Sequence, residues 1–343
     1  MRYTGLIFLS IFLLIYSIPA LSQVINKSDN NPNEVSIAVN HQNEAQILVA
    51  SNINNLYVSA DSGIRWTEMF LESPLGIGGD PNLFCDDSGH FYYAHLSKTP
   101  GKKWPGQFDR MVVQKSMDGG NTWSPGVGVG YNQDKMQDKE WLSGDFNSQS
   151  PYYGQLYLSW TQFDVYGSSD PKHQSHIRFS VSKDRGRSFT EPITVSDWPG
   201  DCKDGDQTLE GATVAIGPKG EIYMVWAGGG KLWFDVSMDG GKSFGTDRII
   251  DTLKEGWTLD IPEIYRSNGM PFIACDPVKG DLWITFADRN ANETSRICLL
   301  HSNDGGLSWT KKRISDDQKG DAFTPNLVVN PGTGQVGIVY YQS

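Results

Sequence analysis

Positive charge is in short supply in this chain. Its 29 Lys and Arg stand against 40 Asp and Glu, a formal net charge of −11. Nucleic-acid binding needs clustered Lys and Arg over phosphate, and no such cluster is present, so no nucleic-acid partner is expected. Cysteine is scarce as well, with Cys85, Cys202, Cys275 and Cys298 the four in 343 residues. No C-x-x-C or His-rich spacing suggests zinc or haem. Cys85 in "NLFCDD" and Cys275 in "FIACDP" sit inside apolar strand-like runs, which suits small buried hydrophobes better than a disulfide. Helical periodicity over eleven or more residues is missing throughout.

One apolar run stands out, and it is short. "MRYTGLIFLSIFLLIYSIPALSQ" has Arg2 as a positive start, an apolar stretch from Gly5 to Ile18, and a small-x-small site at Ala20-Leu-Ser22. That is the pattern of a cleaved secretory leader, too short for a comfortable membrane span. The expectation is a leader over 1–22 and one domain over 23–343, with the mature chain secreted or periplasmic. Loss of Arg2 makes the mature chain −12. A monomer free of the membrane is expected, and the sequons at Asn26 and Asn292 matter only in a glycosylating host.

What the sequence does have is repetition. The pattern S-x-D-x-G-x-[TSR]-[WF] occurs five times, at 59–66, 116–123, 182–189, 237–244 and 302–309. Their aspartates, Asp61, Asp118, Asp184, Asp239 and Asp304, are 57, 66, 55 and 65 residues apart. Each copy is flanked by strand-like runs, as in "KLWFDVS" before the fourth and "GTDRII" after it. The phrase therefore reads as a hairpin tip, with Gly supplying positive φ and with Ser and Asp bonding the turn's own backbone. A second hairpin lies upstream of each tip, as in "ATVAIGP…EIYMVWA". Four-stranded units repeated around an axis predict an all-β protein, a β-propeller.

The phrase resembles the Asp-box, or BNR repeat, of sialidase-like propellers. "DKEWLSGD", "EGATVAIGPKGEIYMVWAGG" and "IPEIYRSNGMPFIACDP" look like a broad group of exported bacterial BNR-repeat proteins. The resemblance implies six four-stranded blades. Five units are complete, and "AFTPNLVVNPGTGQVGIVYYQS" supplies only the first two strands of a sixth, so the sixth blade is expected to be incomplete.

If the repeated tips share one face, the starts of the first strands share the other. That sorts the phrase, Arg65 and Arg187 included, into the structural end. The opposite end collects Glu34, Asp80, Asp138, Lys139, Glu140, Glu210 and Asp321, with Glu263, Tyr265 and Arg266 from the connection before the fifth unit. Strand ends add Arg110, Arg178, Asp288, Arg289 and Arg296, and of the histidines only His95 and His176 fall on this side. Carboxylates brought close raise one another's pKa, the condition for a general acid. "DCKDGDQTLE" adds a loop in which Asp201, Asp204 and Asp206 are weak calcium candidates, although its spacing is not that of an EF-hand. No other cofactor is expected.

In sialidases three arginines clamp the sugar carboxylate, a Tyr paired with a Glu attacks, and an Asp serves as acid/base. Carried over, Asp80 stands for the acid, Tyr265 or Tyr341 for the nucleophile, Glu210 for its partner, and Glu140 joins this catalytic group. Arg266 and Arg289 stand for clamp members, with Lys139 and Asp321 as further substrate contacts. The first clamp arginine has no counterpart: residues 24–58 hold no Arg, and Glu34 stands near its place. Three functions follow: an exported sialidase-like glycoside hydrolase, a non-catalytic glycan- or protein-binding propeller, or a polysaccharide lyase using Lys139, Tyr265 and Arg266. In each the expected partner is a glycan or glycoconjugate.

Overall fold

The structure is a computed structural model that describes residues 33–254, 256–289, 294–316 and 320–343. The expected leader and both sequons lie outside these residues. Among the described residues there is no helix, and the strands form seven small antiparallel sheets. Five are four-stranded meanders. They comprise β1–β4 (Ser36–Val39, Ile47–Ser51, Asn55–Ser59, Thr67–Phe70) and β5–β8 (Gly79–Cys85, Phe91–Leu96, Met111–Ser116, Val127–Val129). Next come β9–β12 (Met136–Gly144, Leu156–Phe163, Ser175–Ser182, Ile193–Thr194) and β13–β16 (Glu210–Ile216, Ile222–Gly228, Lys231–Ser237, Arg248–Thr252). The fifth is β19–β22 (Phe272–Cys275, Leu282–Arg289, Ser295–Ser302, Thr310–Arg313). A two-stranded sheet, β23–β24 (Ala322–Val329, Val336–Gln342), follows at the C-terminal end. A second two-stranded sheet, β17–β18 (Thr258–Leu259, Ser267–Asn268), was not foreseen and sits in the connection before β19.

Consecutive sheets stack through their first strands, β1 on β5, β5 on β9, β9 on β13, β13 on β19 and β19 on β23. The core is consequently a series of layers between neighbouring sheets. Leu48 and Leu83 share one layer, Leu96 and Leu142 the next, and Phe179 and Val214 the third. Phe234 and Ile273, and Ile297 and Phe323, belong to the last two. A second strand is covered on both faces, so its sequence is nearly all apolar, as in "FYYAHL" of β6, buried at every position. Fourth strands face solvent, and "TKKR" of β22 is exposed at every position.

All five copies of the repeated phrase lie between third and fourth strands and close the same turn. In the fourth copy Ser237 Oγ donates to Asp239 Oδ1 at 2.9 Å and accepts from Gly241 N at 3.0 Å. Asp239 also accepts from the amides of Lys242 and Ser243 at 2.9 and 3.0 Å. Slight burial opposes ionisation there, but the bonds from Ser243 and its neighbours win and hold the carboxyl down at about 2. Hydrogen bonds led by that of Ser308 likewise hold Asp304 low. Glycine at the fifth place is required twice over. Gly241 has φ +80°, and a Cβ there would meet the Phe179 ring of the preceding sheet at 2.5 Å. The four cysteines are unpaired, three of them buried, as small hydrophobes would be.

Candidate functional site at the first strands

At the opposite end five of the seven sheets repeat a backbone feature. In β5, Gly79 pairs with Leu96 and Asn82 with Ala94, so Asp80 and Pro81 together oppose His95. Lys139 and Glu140 oppose Trp160 in the same way, Gly211 and Ala212 oppose Trp226, and Thr324 and Pro325 oppose Tyr340. Ahead of β1, Asn33 O accepts from Asn52 N at 2.8 Å while Ser36 pairs with Ala50, which leaves Glu34 and Val35 as the extra pair. These are β-bulges, and the first residue of each is left-handed: Glu34 at φ 51°, Asp80 and Lys139 at 55°, Gly211 at 70° and Thr324 at 47°. Glycine is the ordinary occupant of that place. A side chain there costs roughly 1–2 kcal/mol, so four non-glycine residues in five bulges is strain kept for a purpose.

The bulges are locked to one another by side chains two residues further on. Ser36 Oγ accepts from Leu83 N at 2.9 Å, Asn82 Oδ1 from Leu142 N at 2.9 Å, and Thr213 Oγ1 from Ile273 N at 3.2 Å. Each bond crosses from one sheet to the next. Neighbouring first strands are thus held in register at the point where the bulges re-aim the charged side chains.

Those side chains form one electrostatic group. Glu34 is exposed at its rim, Asp80, Asp138 and Lys139 are half-buried, and Glu140 and Glu210 are buried. Burial, reinforced by Glu34 and Asp138 against the pull of Lys139, lifts Asp80 well above the usual carboxyl range. Glu34 is hydrogen-bonded to Asp80 and Asn52, and despite its own desolvation Lys139 and these bonds hold it low. The two carboxyls therefore titrate as a coupled pair that shares a proton. Burial, with Asp204 and Glu34 adding and Lys139 opposing, brings Asp138 up to about 7. Glu140 and Glu210 are also raised well above normal, first by burial and then by Asp80 and Asp138 respectively. Neither oxygen of Glu140 finds a hydrogen-bond partner on another described residue.

Lys139 is the cation these groups surround. Its desolvation is outweighed by Asp80, Glu34, Glu210 and Asp138, and its pKa is raised. Among the described residues no carboxylate lies within 4.0 Å of its ammonium, so it stands among the acids without being locked onto one. Arg266 approaches from the 260–266 turn and is held by Asp204 at 3.0 and 3.2 Å. Asp204 also accepts from Tyr166 OH at 2.6 Å.

Of the residues singled out from the sequence, Asp80, Lys139, Glu140 and Glu210 are brought together, with Arg266 beside them. Tyr265 is not: it is 104% exposed, its ring in solvent, while Arg266 next to it, also exposed, reaches Asp204. Tyr341, 65% exposed, stacks on Phe323. Arg289 donates to Asp260 O at 2.8 Å and lines a separate cleft of about 230 Å³ with Lys254 and Lys311. Arg266 and Arg289 thus have different partners. Asp321 accepts from Ser295 N at 2.7 Å, tying β21 to β23. The calcium candidates are each engaged locally. Asp201 accepts from Thr208 at 2.8 Å, Asp204 holds Arg266, and Asp206 accepts from Thr258 N at 2.7 Å. Among the described residues no three His, Cys, Asp or Glu side chains converge as a metal site would need. Asn52, whose Oδ1 accepts from Asp80 N at 2.6 Å, went unnoticed in the sequence, as did the pairing of Tyr166 with Asp204.

No protein-family profile matches the chain, and no curated protein matches it in sequence. Solved structures do match in fold. A Hadza microbial sialidase, Hz136, is 15% identical with a TM-score of 0.56, the match covering 91% of this chain and 63% of that one. The GH93 α-L-arabinofuranosidase of Fusarium graminearum, solved with arabinobiose, is 14% identical with a TM-score of 0.56, over 93% and 95% of the two chains. An ulvan lyase of polysaccharide lyase family 25 is 12% identical with a TM-score of 0.52, over 82% and 69%. At these identities the likeness is one of fold, shared with carbohydrate-active enzymes of three different chemistries.

Proposed function

We propose that the chain is an exported six-bladed β-propeller, its sixth blade represented by β23–β24, that hydrolyses a glycosidic bond of an uncharged sugar at its axial first-strand site. The observation that carries this reading is the spread of carboxyl pKa values within one site, Asp80 raised, Asp138 near 7 and Glu34 low, around Lys139. Carboxyls pushed to different pKa values within one site are what acid–base cleavage of an acetal requires. Asp80, holding the shared proton, gives it to the departing glycosidic oxygen as the C–O bond breaks. Ionised Asp138 takes a proton from the water whose oxygen joins the anomeric carbon. Lys139 and Arg266 hold sugar hydroxyls and keep the remaining carboxylates apart.

The charge of the site supports an uncharged substrate. Lys139 is already surrounded by Asp80, Glu34, Glu210 and Asp138, and Arg266 is already engaged by Asp204, so neither cation is left unopposed for a sugar carboxylate. A sialic acid carboxylate would meet Glu34 where sialidases present arginine. The arabinofuranosidase among the structural relatives carries arabinobiose, a neutral sugar. A binding module is the second reading, favoured by the neutralisation of Asp204 by Arg266, with Tyr166 donating a further hydrogen bond to it.

The test is turnover by the purified protein on 4-methylumbelliferyl glycosides of neutral pentoses and hexoses, with the sialoside alongside. Cleavage of a neutral glycoside that drops about 10³-fold in Asp80→Asn is the expected result. No cleavage of any neutral glycoside, or cleavage indifferent to Asp80→Asn, would overturn the proposal.

A further inference from the structure

Beside the axial site an exposed tryptophan is held out on a loop that is anything but loose. The connection between β6 and β7 is tied by backbone bonds from Thr99 N to Gln107 O at 3.0 Å, Gln107 N to Lys103 O at 3.1 Å and Phe108 N to Pro105 O at 3.0 Å. At its base Asp109, fully buried, accepts from Thr99 Oγ1 at 2.9 Å and from Arg110 Nε at 2.7 Å, and pairs with Lys102 at 2.9 Å. Ordering so many residues costs conformational entropy, and while Phe108 at the base packs on the core, Trp104 at the crest remains 62% exposed.

The position of that ring is informative. Trp104 meets Tyr166 edge to face, centroids 5.4 Å apart and planes at 85°. Tyr166 is itself wedged against buried Phe163 at 5.1 Å, and its hydroxyl is bonded to Asp204, the partner of Arg266. An unbroken line of contacts thus leads from the exposed indole to the cation that borders the axial carboxyls. A rigid aromatic face next to polar, orienting groups is how proteins hold the apolar C–H face of a sugar ring.

We propose that Trp104, braced by Tyr166, is the platform of a second sugar position, on which the ring adjoining the one at the axial carboxyls stacks. This rests on the glycosidase reading for the neighbouring position but not for the stacking itself. The ligand class is an uncharged oligosaccharide of two or more units; Trp104 is a positioning residue and touches no reacting atom.

The test labels the protein with 5-fluorotryptophan and assigns the Trp104 resonance by its loss in Trp104→Phe. Arabinobiose, xylotetraose, cellotetraose and galactotetraose are then titrated to 10 mM, with the four monosaccharides as controls. The expected result is a shift of the Trp104 signal with at least one oligosaccharide and with no monosaccharide, kept in Asp80→Asn. In turnover, Trp104→Ala should raise KM for that oligosaccharide about tenfold with little change in kcat, and Trp104→Phe should restore most of it. A shift without hydrolysis in the unaltered protein would uphold the platform and remove the hydrolase reading. Hydrolysis of an oligosaccharide with the Trp104 signal unmoved and KM unchanged in Trp104→Ala would remove the platform and leave the hydrolase. An unmoved Trp104 signal with all four oligosaccharides also overturns the platform.

Discussion

The two ends of the same sheets solve opposite problems with the same residue type. At the repeated-phrase end, five aspartates occupy one position, each wrapped by the amides and hydroxyls of its own turn, and Asp239 is held at about 2. At the first-strand end the backbone is what repeats. The bulge recurs while its left-handed residue changes from Glu34 to Asp80, Lys139, Gly211 and Thr324. There burial, and then the crowding of neighbouring carboxyls, pushes Asp80, Glu140 and Glu210 up. A repeated side chain on a repeated backbone marks a part that holds the sheets together. A repeated backbone with varied, strained side chains is where chemistry is to be sought, and the proposed site is built there.

The contrast can be broken at either end. After the loss expected in Asp80→Asn, the next largest effect is on pH dependence. Asp138 must be ionised to accept a proton, so kcat/KM should fall about tenfold per unit below its value near 7. Asp138→Asn should lower the rate at least 100-fold and flatten that acid limb; an unchanged limb in the variant would place the base elsewhere.

Glu140 sharpens the comparison through stability. A carboxyl raised on folding carries no penalty below its ordinary value of 4.5, and the penalty grows as pH rises above it. Glu140→Gln should therefore melt roughly 5 °C higher at pH 7 and no higher at pH 4. Thermal melts at the two pH values read this directly, and equal shifts at both would contradict it. The smallest effect is expected at the other end. Asp239→Ala should cost about 1 kcal/mol of stability, as loss of a side-chain cap does, and leave the pH profile of turnover alone.

The period of the phrase made the strand order and the structural end legible, because five copies of one turn cannot be missed. It also carried the eye to Asp80, Lys139, Glu140 and Glu210, which occupy the starts of the first strands. What the period could not convey was backbone conformation: bulges announce themselves in sequence by glycine, and here only Gly211 obeys. Tyr265 and Arg266 show another limit. Both are exposed, only Arg266 is bonded to Asp204, and no spacing rule says which of two adjacent turn residues borders the site. Asn52, Tyr166 and Trp104 lie on connections of unequal length, outside any repeat, so nothing in the sequence tied them to the carboxyls they flank.

The central claim is that the two ends differ in the state of their carboxyls, and carbon-13 NMR of the Asp and Glu carboxyl groups from pH 2 to 9 measures that difference. Assignments would come from Asp80→Asn, Glu210→Gln and Asp239→Ala. The account predicts that Asp239 stays ionised down to about 2 while Asp80 and Glu210 take up their protons well above the exposed carboxyls. If Asp80 and Glu210 instead titrate near 4 with the exposed carboxyls, the first-strand site holds no proton to give, and the account fails.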